Sequence, residues 1–459
     1  MEIESGIILG LNTEFLLPME RTCMIKTTAN VIVTLLFCAP ALDAQEPAVI
    51  PAPRLAQQTE ADEYTRYELL VPETASFKIH YEVTATTPGA KVYFNPIRKG
   101  SAASDEAVYD AMTGEPLRFE VVNGAEARKD PLMTAADPAG NYIKIQLARP
   151  VPLEGQSRML IIKTYKDANS YYRDGDAIVF KRGLGIKRNS VILPKGYELV
   201  GCNVASQVLS EADGRIAISF MNPGPGEAPL ILRAKRGAQT GPSAAPHPLT
   251  KSRSWEAPFS GETEQERLSE RAHQDRDIVY FLLQPETHAF SLYHDYTESR
   301  PGVDKYLNVV REGSTVSGPS AYILDTGEKL PTRLMTGADL VAAKIESGEP
   351  VKPTAQIVLI SFPPVQNGQS IRLRISETYT APASYRLDGD DLVFDRSLGR
   401  SRNAVVLPLG WYLTSSAIPA TAVQLSDDRI RLDFWNARPD SADVLLKARR
   451  RVSTADQSR

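Results

Sequence analysis

Apolar and polar side chains alternate with a period of two along most of this chain. In Ser76–Val83, Phe77, Ile79, Tyr81 and Val83 share one face, and Lys78, His80 and Glu82 take the other. Tyr142–Leu147, Met159–Tyr165 and Arg215–Phe220 continue the pattern, and Ala355–Ile360, Ser370–Tyr379 and Arg429–Phe434 repeat it later. Such alternation marks half-buried strands. Asp-Gly, Asn-Pro-Gly and Pro-Lys-Gly separate the runs, where tight turns need them. Helical patterning is confined to two stretches. One is Ala338–Ser347, which the first half of the chain does not match in quality. The other is the charged Glu262–Arg276, readable as a short solvated helix or as a flexible linker.

The strand pattern occurs twice. Asp174–Leu199 and Asp388–Leu413 agree at 15 of 26 positions without a gap, at an offset of 214. Upstream, Pro72-Glu73-Thr74 with Phe77 matches Pro285-Glu286-Thr287 with Phe290. Downstream, Arg215-Ile216 matches Arg429-Ile430, and Leu232–Lys235 parallels Leu446–Arg449. Collinear matches over this span mean a tandem duplication. Two copies are too few for a solenoid. The expectation is all-β: two tandem antiparallel β-sandwich domains, copy one over 62–236 and copy two over 277–450. A Pro/Ala/Gln-rich lead (45–61), a linker (237–276) and a disordered tail (451–459) complete the plan.

Residues 19–44 read as a signal peptide. Arg21 and Lys26 precede the apolar run Val31–Cys38, and small residues follow, with cleavage after Ala41 or Ala44. The run is far shorter than the ~20 residues a membrane-spanning helix needs. Cleavage after Ala44 removes five acids (Glu2, Glu4, Glu14, Glu20, Asp43) and two bases (Arg21, Lys26), which moves the net charge from −4 to −1. It also removes Cys23 and Cys38, so Cys202 has no intrachain disulfide partner, and stability must come from core burial. The expected location is periplasmic or secreted. With 52 Lys+Arg against 56 Asp+Glu there is no excess of base to neutralise phosphates, so nucleic acid is not an expected partner.

The search for chemistry returns little. The chain has five His, none in HExxH spacing, and no GxSxG, SxxK, GxGxxG or Walker loop. No metal or cofactor is expected. Asp325-Thr326-Gly327 spells an aspartic-protease triplet. That chemistry needs two carboxylates sharing a proton, and copy one carries Thr113-Gly114-Glu115 without the matching Asp. The motif therefore reads as a turn. The acidic DGD hairpins at Asp174–Asp176 and Asp388–Asp390 lack the spaced oxygens of a calcium loop and read as type I′ turns. The repeated polar set is Arg182, Arg188 and Asn189, matched by Arg396, Arg402 and Asn403. Arg offers a planar fork of donors suited to carboxylate, phosphate or sugar. Together with Tyr171, Tyr172 and Tyr385 these residues form the candidate ligand-binding set. The alternative is structural, with Arg pairing the hairpin Asp176/Asp390 and holding the Gly185/Gly399 turn.

The string Thr164–Leu199, with the openings Pro72–Val83 and Pro285–Tyr296, resembles a group of secreted bacterial proteins with a duplicated β-domain and no assigned activity. The opening strands are also similar to the non-catalytic N-terminal β-domains of M1- and M61-type aminopeptidases, whose zinc motif lies in a separate domain. That likeness implies a non-catalytic β-module. The leading expectation is a secreted, non-enzymatic binding or structural protein of the cell envelope, its partner an unknown protein or a glycan. The alternatives are a glycan-binding module built on the aromatic and Arg/Asn cluster, and a hydrolase with an unfamiliar site.

Overall fold

The computed structural model describes residues 57–224, 226–237, 270–347, 350–436 and 441–451. The export stretch 19–44, the first part of the charged linker and the end of the tail lie outside the described residues. Copy one begins with β1 (Glu60–Leu69), β2 (Ser76–Ala85), β3 (Val92–Ile97), β4 (Ala102–Asp110) and β5 (Phe119–Asn123). A one-turn helix, α1 (Gly124–Ala127), leads to β6 (Asn141–Gln146) and β7 (Ser157–Lys166). Then come β8 (Tyr171–Asp174), β9 (Ala177–Leu184), β10 (Arg188–Ile192) and β11 (Tyr197–Cys202). Copy one ends with β12 (Gln207–Ser210), β13 (Ile216–Met221) and β14 (Ala228–Arg236).

Copy two repeats this plan. It opens with β15 (Asp277–Leu282), β16 (Ala289–Glu298), β17 (Lys305–Val309), β18 (Thr315–Ile323), β19 (Lys329–Leu330) and β20 (Thr332–Thr336). After α2 (Gly337–Ala342) come β21 (Gln356–Ser361), β22 (Ile371–Thr380), β23 (Tyr385–Asp388) and β24 (Asp391–Leu398). It closes with β25 (Arg402–Val406), β26 (Trp411–Ser416), β27 (Thr421–Gln424), β28 (Ile430–Trp435) and β29 (Ala442–Arg450).

The topologies superimpose strand for strand. Copy one has a large sheet, β12-β13-β10-β1-β2-β7-β4, and two small ones, β3-β6-β5 and β11-β14-β9-β8. Copy two has β27-β28-β25-β15-β16-β22-β18-β19, β17-β21-β20 and β26-β29-β24-β23. Its extra strand β19 stands where copy one makes a single bridge, Tyr109 to Pro116. Each copy is thus all-β and two-layered, the large sheet on one side and both small sheets on the other. In copy one, Phe77, Ile79 and Ile161 of the large sheet pack on Ile143 and Ile145 of one small sheet and on Phe180 and Leu232 of the other. Phe290, Leu292 and Ile375 meet Val358, Ile360, Phe394 and Leu446 in the same way. An edge-to-face ring pair sits at the centre of each core, Phe77–Phe180 and Phe290–Phe394.

One pairing in each copy departs from the antiparallel pattern. β1 runs parallel to β10 and β15 parallel to β25. The chain leaves the large sheet after β7, makes the β8–β9 hairpin in the small sheet, and re-enters beside the first strand in the same direction.

The helices also depart from the sequence pattern. α2 is shorter than Ala338–Ser347, and α1 occupies the equivalent place in copy one, so the turn of helix belongs to both modules. A glycine opens each, because a Cβ on Gly124 would lie 1.7 Å from the Asp137 carbonyl oxygen, and one on Gly337 2.1 Å from that of Lys352. The helix start shows in the cap: the Asn123 side chain accepts from the Glu126 N–H, and Thr336 and Asp339 form a capping box. The described part of the linker, 270–276, is a turn followed by irregular chain, with no helix.

All described residues belong to one compact unit, and the copies meet through equivalent surfaces. The Gln156 N–H donates to the Leu324 carbonyl (2.9 Å), and the Ser370 N–H to the Met112 carbonyl (3.0 Å). Gln156 corresponds to Ser370, and Ala111–Met112 to Leu324–Asp325. Each copy therefore offers the other nearly the same patch, as in an isologous dimer. Arg158 closes the junction with two bonds to the Asp325 carboxylate, both 2.8 Å, and both side chains are buried.

Candidate functional site

The candidate set lies mostly inside the scaffold. Tyr171 and Tyr385 are fully buried, and their hydroxyls donate to the Leu70 and Leu283 carbonyls, one residue past the first strand of each copy. Asn189 and Asn403 are buried, and their amides donate to the carbonyls of Ile186 (2.7 Å) and Arg400 (2.8 Å) in the turn after Gly185 and Gly399. Arg182 and Arg396 are buried over ring pairs, Phe77/Tyr165 and Phe290/Tyr379. Arg188 is buried over Tyr64 and donates to the carbonyls of Ala272 and His273 in the linker. Arg402 and Tyr172 are half-buried. Arg402 opens β25 opposite Trp435, and Tyr172 pairs with Val179 across the hairpin.

The pairing read for Arg182 changes. Its partner is Asp167 (3.0 Å), not the hairpin acid. Asp176 binds Lys235 (2.9 Å) and Asp174 binds Arg233 (2.7 Å), because the hairpin tip faces the neighbouring strand β14. The turn type changes as well. Asp174 pairs with Ala177, which leaves Gly175 and Asp176 in the loop, and only Gly175 has positive φ. That is the glycine-first pattern of a type II′ turn, not type I′. Gly389 repeats it.

Asp325 also sits in a turn, with the Gly327 N–H donating to the Ile323 carbonyl (2.7 Å). Its carboxylate faces Arg158 of copy one. Among the described residues no group of three or more His, Cys, Asp or Glu could hold a metal ion. No helix among them is long and apolar enough to cross a membrane.

The structure brings together one pair of sites that the sequence pattern does not single out. Lys163 on β7 and Glu377 on β22 are equivalent, and both point into the core between the large sheet and the first small sheet. Each faces an equivalent asparagine. The Lys163 ammonium donates to the Asn95 side-chain oxygen. Glu377 accepts from the Asn308 amide nitrogen through both oxygens (3.1 and 3.0 Å). The same amide thus presents its oxygen to a cation in one copy and its nitrogen to a carboxylate in the other. Burial lowers the Lys163 ammonium to about 8, helped by the nearby Arg182 charge. Burial raises the Glu377 carboxyl to about 8, against the hydrogen bonds from Tyr379 and Asn308. The available signal is parity. Met159, Ile161 and Tyr165 face inward, and a lysine at 163 breaks that apolar face.

Three of the exposed apolar residues lie on equivalent small-sheet edge strands. On β5, Phe119 is 37% and Val121 54% exposed, and on the equivalent β20 Leu334 is 48% exposed. Both strands end their sheets. Fold and surface together define a twin-module all-β protein with open sheet edges.

No family model and no curated protein matches the chain. Among solved structures it is similar to an M1 zinc metallopeptidase from Deinococcus radiodurans, with 10% identity, 39% of this chain and 42% of that chain covered, and a TM-score of 0.26. It is also similar to an aminopeptidase N family protein from Idiomarina loihiensis, with 12% identity, coverage of 38% and 29%, and a TM-score of 0.24. The chain spans less than half the length of either.

Proposed function

We propose that this chain is an exported, non-catalytic binding protein of the cell envelope, whose two β-sandwich modules offer sheet edges to a partner protein. The observation that carries the reading is the apolar exposure on β5 and β20. An edge strand with free backbone groups and exposed Val, Leu and Phe is a template for another chain. The export pattern in residues 19–44 supports the envelope location. The repeated Arg/Asn/Tyr set has no part in this proposal, since the Tyr171 and Tyr385 hydroxyls, the Asn189 and Asn403 amide nitrogens and the Arg188 guanidinium donate to the protein's own carbonyls, Arg182 pairs with Asp167, and Arg396 lies over Phe290 and Tyr379.

Fractionation of cells expressing the full chain tests the location. Mass spectrometry of the periplasmic or secreted protein should show an N-terminus at Gln45 or Leu42. Unprocessed chain retained in the cytoplasm would contradict the proposal. A glycan array probed with the mature protein should stay silent, and saturable sugar binding would favour the lectin reading instead.

A further inference from the structure

The two modules differ at one sheet edge. In copy one the segment before β1 lies along the outer edge of β3. The Gln58 side chain accepts from the Phe94 N–H (2.8 Å) and donates to the Phe94 carbonyl (2.9 Å), standing in for a paired strand. The Gln58 N–H donates to the Leu132 carbonyl (3.1 Å). Two residues on, Glu60 accepts from the Tyr93 hydroxyl. In copy two the equivalent strand is β17. Leu307 pairs with Leu359 in the register that Phe94 keeps with Lys144, so its N–H and carbonyl also face outward. Tyr306 takes the place of Tyr93.

The positions equivalent to Gln58–Glu60 are Arg271–His273, and these are held elsewhere. Arg188 of copy one binds the carbonyls of Ala272 and His273. The His273 ring pairs with Glu82 (3.1 Å), and the Arg271 N–H donates to the Gln207 side chain. Among the described residues no strand pairs with the outer edge of β17.

We propose that the outer edge of β17 is a docking strip for an extended segment of a partner polypeptide. That segment presents a glutamine side chain to the Leu307 backbone and a carboxylate two residues later to Tyr306. Copy one supplies the argument for this occupant, because its own Gln58–Glu60 shows what the edge accepts. Lys305, exposed at the start of β17, is ion-paired with its neighbour Asp304. At the far end of the strand, Val309, Val310 and Val351, together with Gln356 and the Glu312–Lys352 ion pair, line a cleft of about 420 Å³, room for a side chain flanking the docked segment. The proposal rests on the binding reading above and names the partner's chemistry.

The probe is a fluorescein-labelled peptide of this chain's residues 53–62, titrated against the purified mature protein. Saturable binding is expected, weakened about tenfold or more by Gln58→Leu in the peptide. Tyr306→Phe in the protein should weaken it several-fold, and Tyr93→Phe should leave it unchanged. No saturation up to about 1 mM would overturn the proposal. So would sensitivity to Tyr93→Phe alone, which would mean exchange into copy one. A concentration-dependent dimer in sedimentation, abolished by Gln58→Leu in the full chain, would overturn the partner assignment in favour of a second copy. Any of these failures, with export and processing intact, removes the strip and leaves the broader reading standing.

Discussion

Alanine at Arg158 is expected to destabilise the protein by about 3–5 kcal/mol, because it strands a buried charge. Asp325 is fully buried and takes both its Arg158 bonds at 2.8 Å. With the guanidinium gone, the carboxylate must stay charged without a partner or take up a proton. Asp325→Ala should cost a similar amount by orphaning the guanidinium. Replacing both residues with apolar ones of similar volume should recover most of the loss, since a well-packed apolar pair avoids the desolvation of two ions. Urea unfolding of the three variants measures this. The pair joins the copies, so the single variants should also split one transition into two. Single variants within about 0.5 kcal/mol of the parent would mean that the junction is wetter than the structure shows.

Glu377→Gln is expected to stabilise the protein at pH 8.5 and to leave it nearly unchanged at pH 4.5. The folded carboxyl titrates at about 8, far above the ordinary 4.5. Its stabilising contribution is therefore complete below pH 4.5 and is lost as pH rises through the window from 4.5 to 8. The full loss is about 3–5 kcal/mol, since each pH unit across that window removes about 1.4 kcal/mol. Glutamine keeps an oxygen to accept from Asn308 and carries no charge to desolvate. Lys163 works in the opposite sense. Its folded value of about 8 lies below the ordinary 10.5, so stability is lost as pH falls from 10.5 to 8. Lys163→Met should remove that alkaline dependence. Thermal melts of both variants from pH 4.5 to 10.5 separate the two arms. A Glu377→Gln protein with the parental pH profile would show that the carboxyl is hydrated in the folded state.

The fold was legible where a local rule fixes the outcome. Alternation at Phe77, Ile79, Tyr81 and Val83 fixes which face of β2 is buried, and a slip of one residue would expose all four. The repeat of Asp174–Leu199 at Asp388–Leu413 fixes two like modules. The parallel β1–β10 pairing was not legible, because nothing local to Tyr64 or Arg188 records which distant strand becomes its neighbour. The candidate Arg and Asn residues were correctly seen as repeated, but repetition does not distinguish a ligand from a turn carbonyl. What the structure adds is that Asn189, Asn403 and Arg188 are buried and bonded to the carbonyls of Ile186, Arg400 and the linker. Lys163 and Glu377 break the parity of an otherwise apolar face, but nothing in the pattern singles them out, because their partners Asn95 and Asn308 lie more than sixty residues upstream. The Gln58 clamp carries no sequence signature, since one glutamine in a Gln-rich lead looks like any other.

Hydrogen exchange of the mature chain, read amide by amide, tests most directly whether these are twin modules that differ at one edge. Equivalent central strands, β1 with β15 and β2 with β16, should exchange with matched protection. The Phe94 amide, held by Gln58, should exchange at least about tenfold more slowly than the outward-facing Leu307 amide at the same place in copy two. Equal protection of Phe94 and Leu307, or halves whose central strands exchange at unrelated rates, would contradict the account.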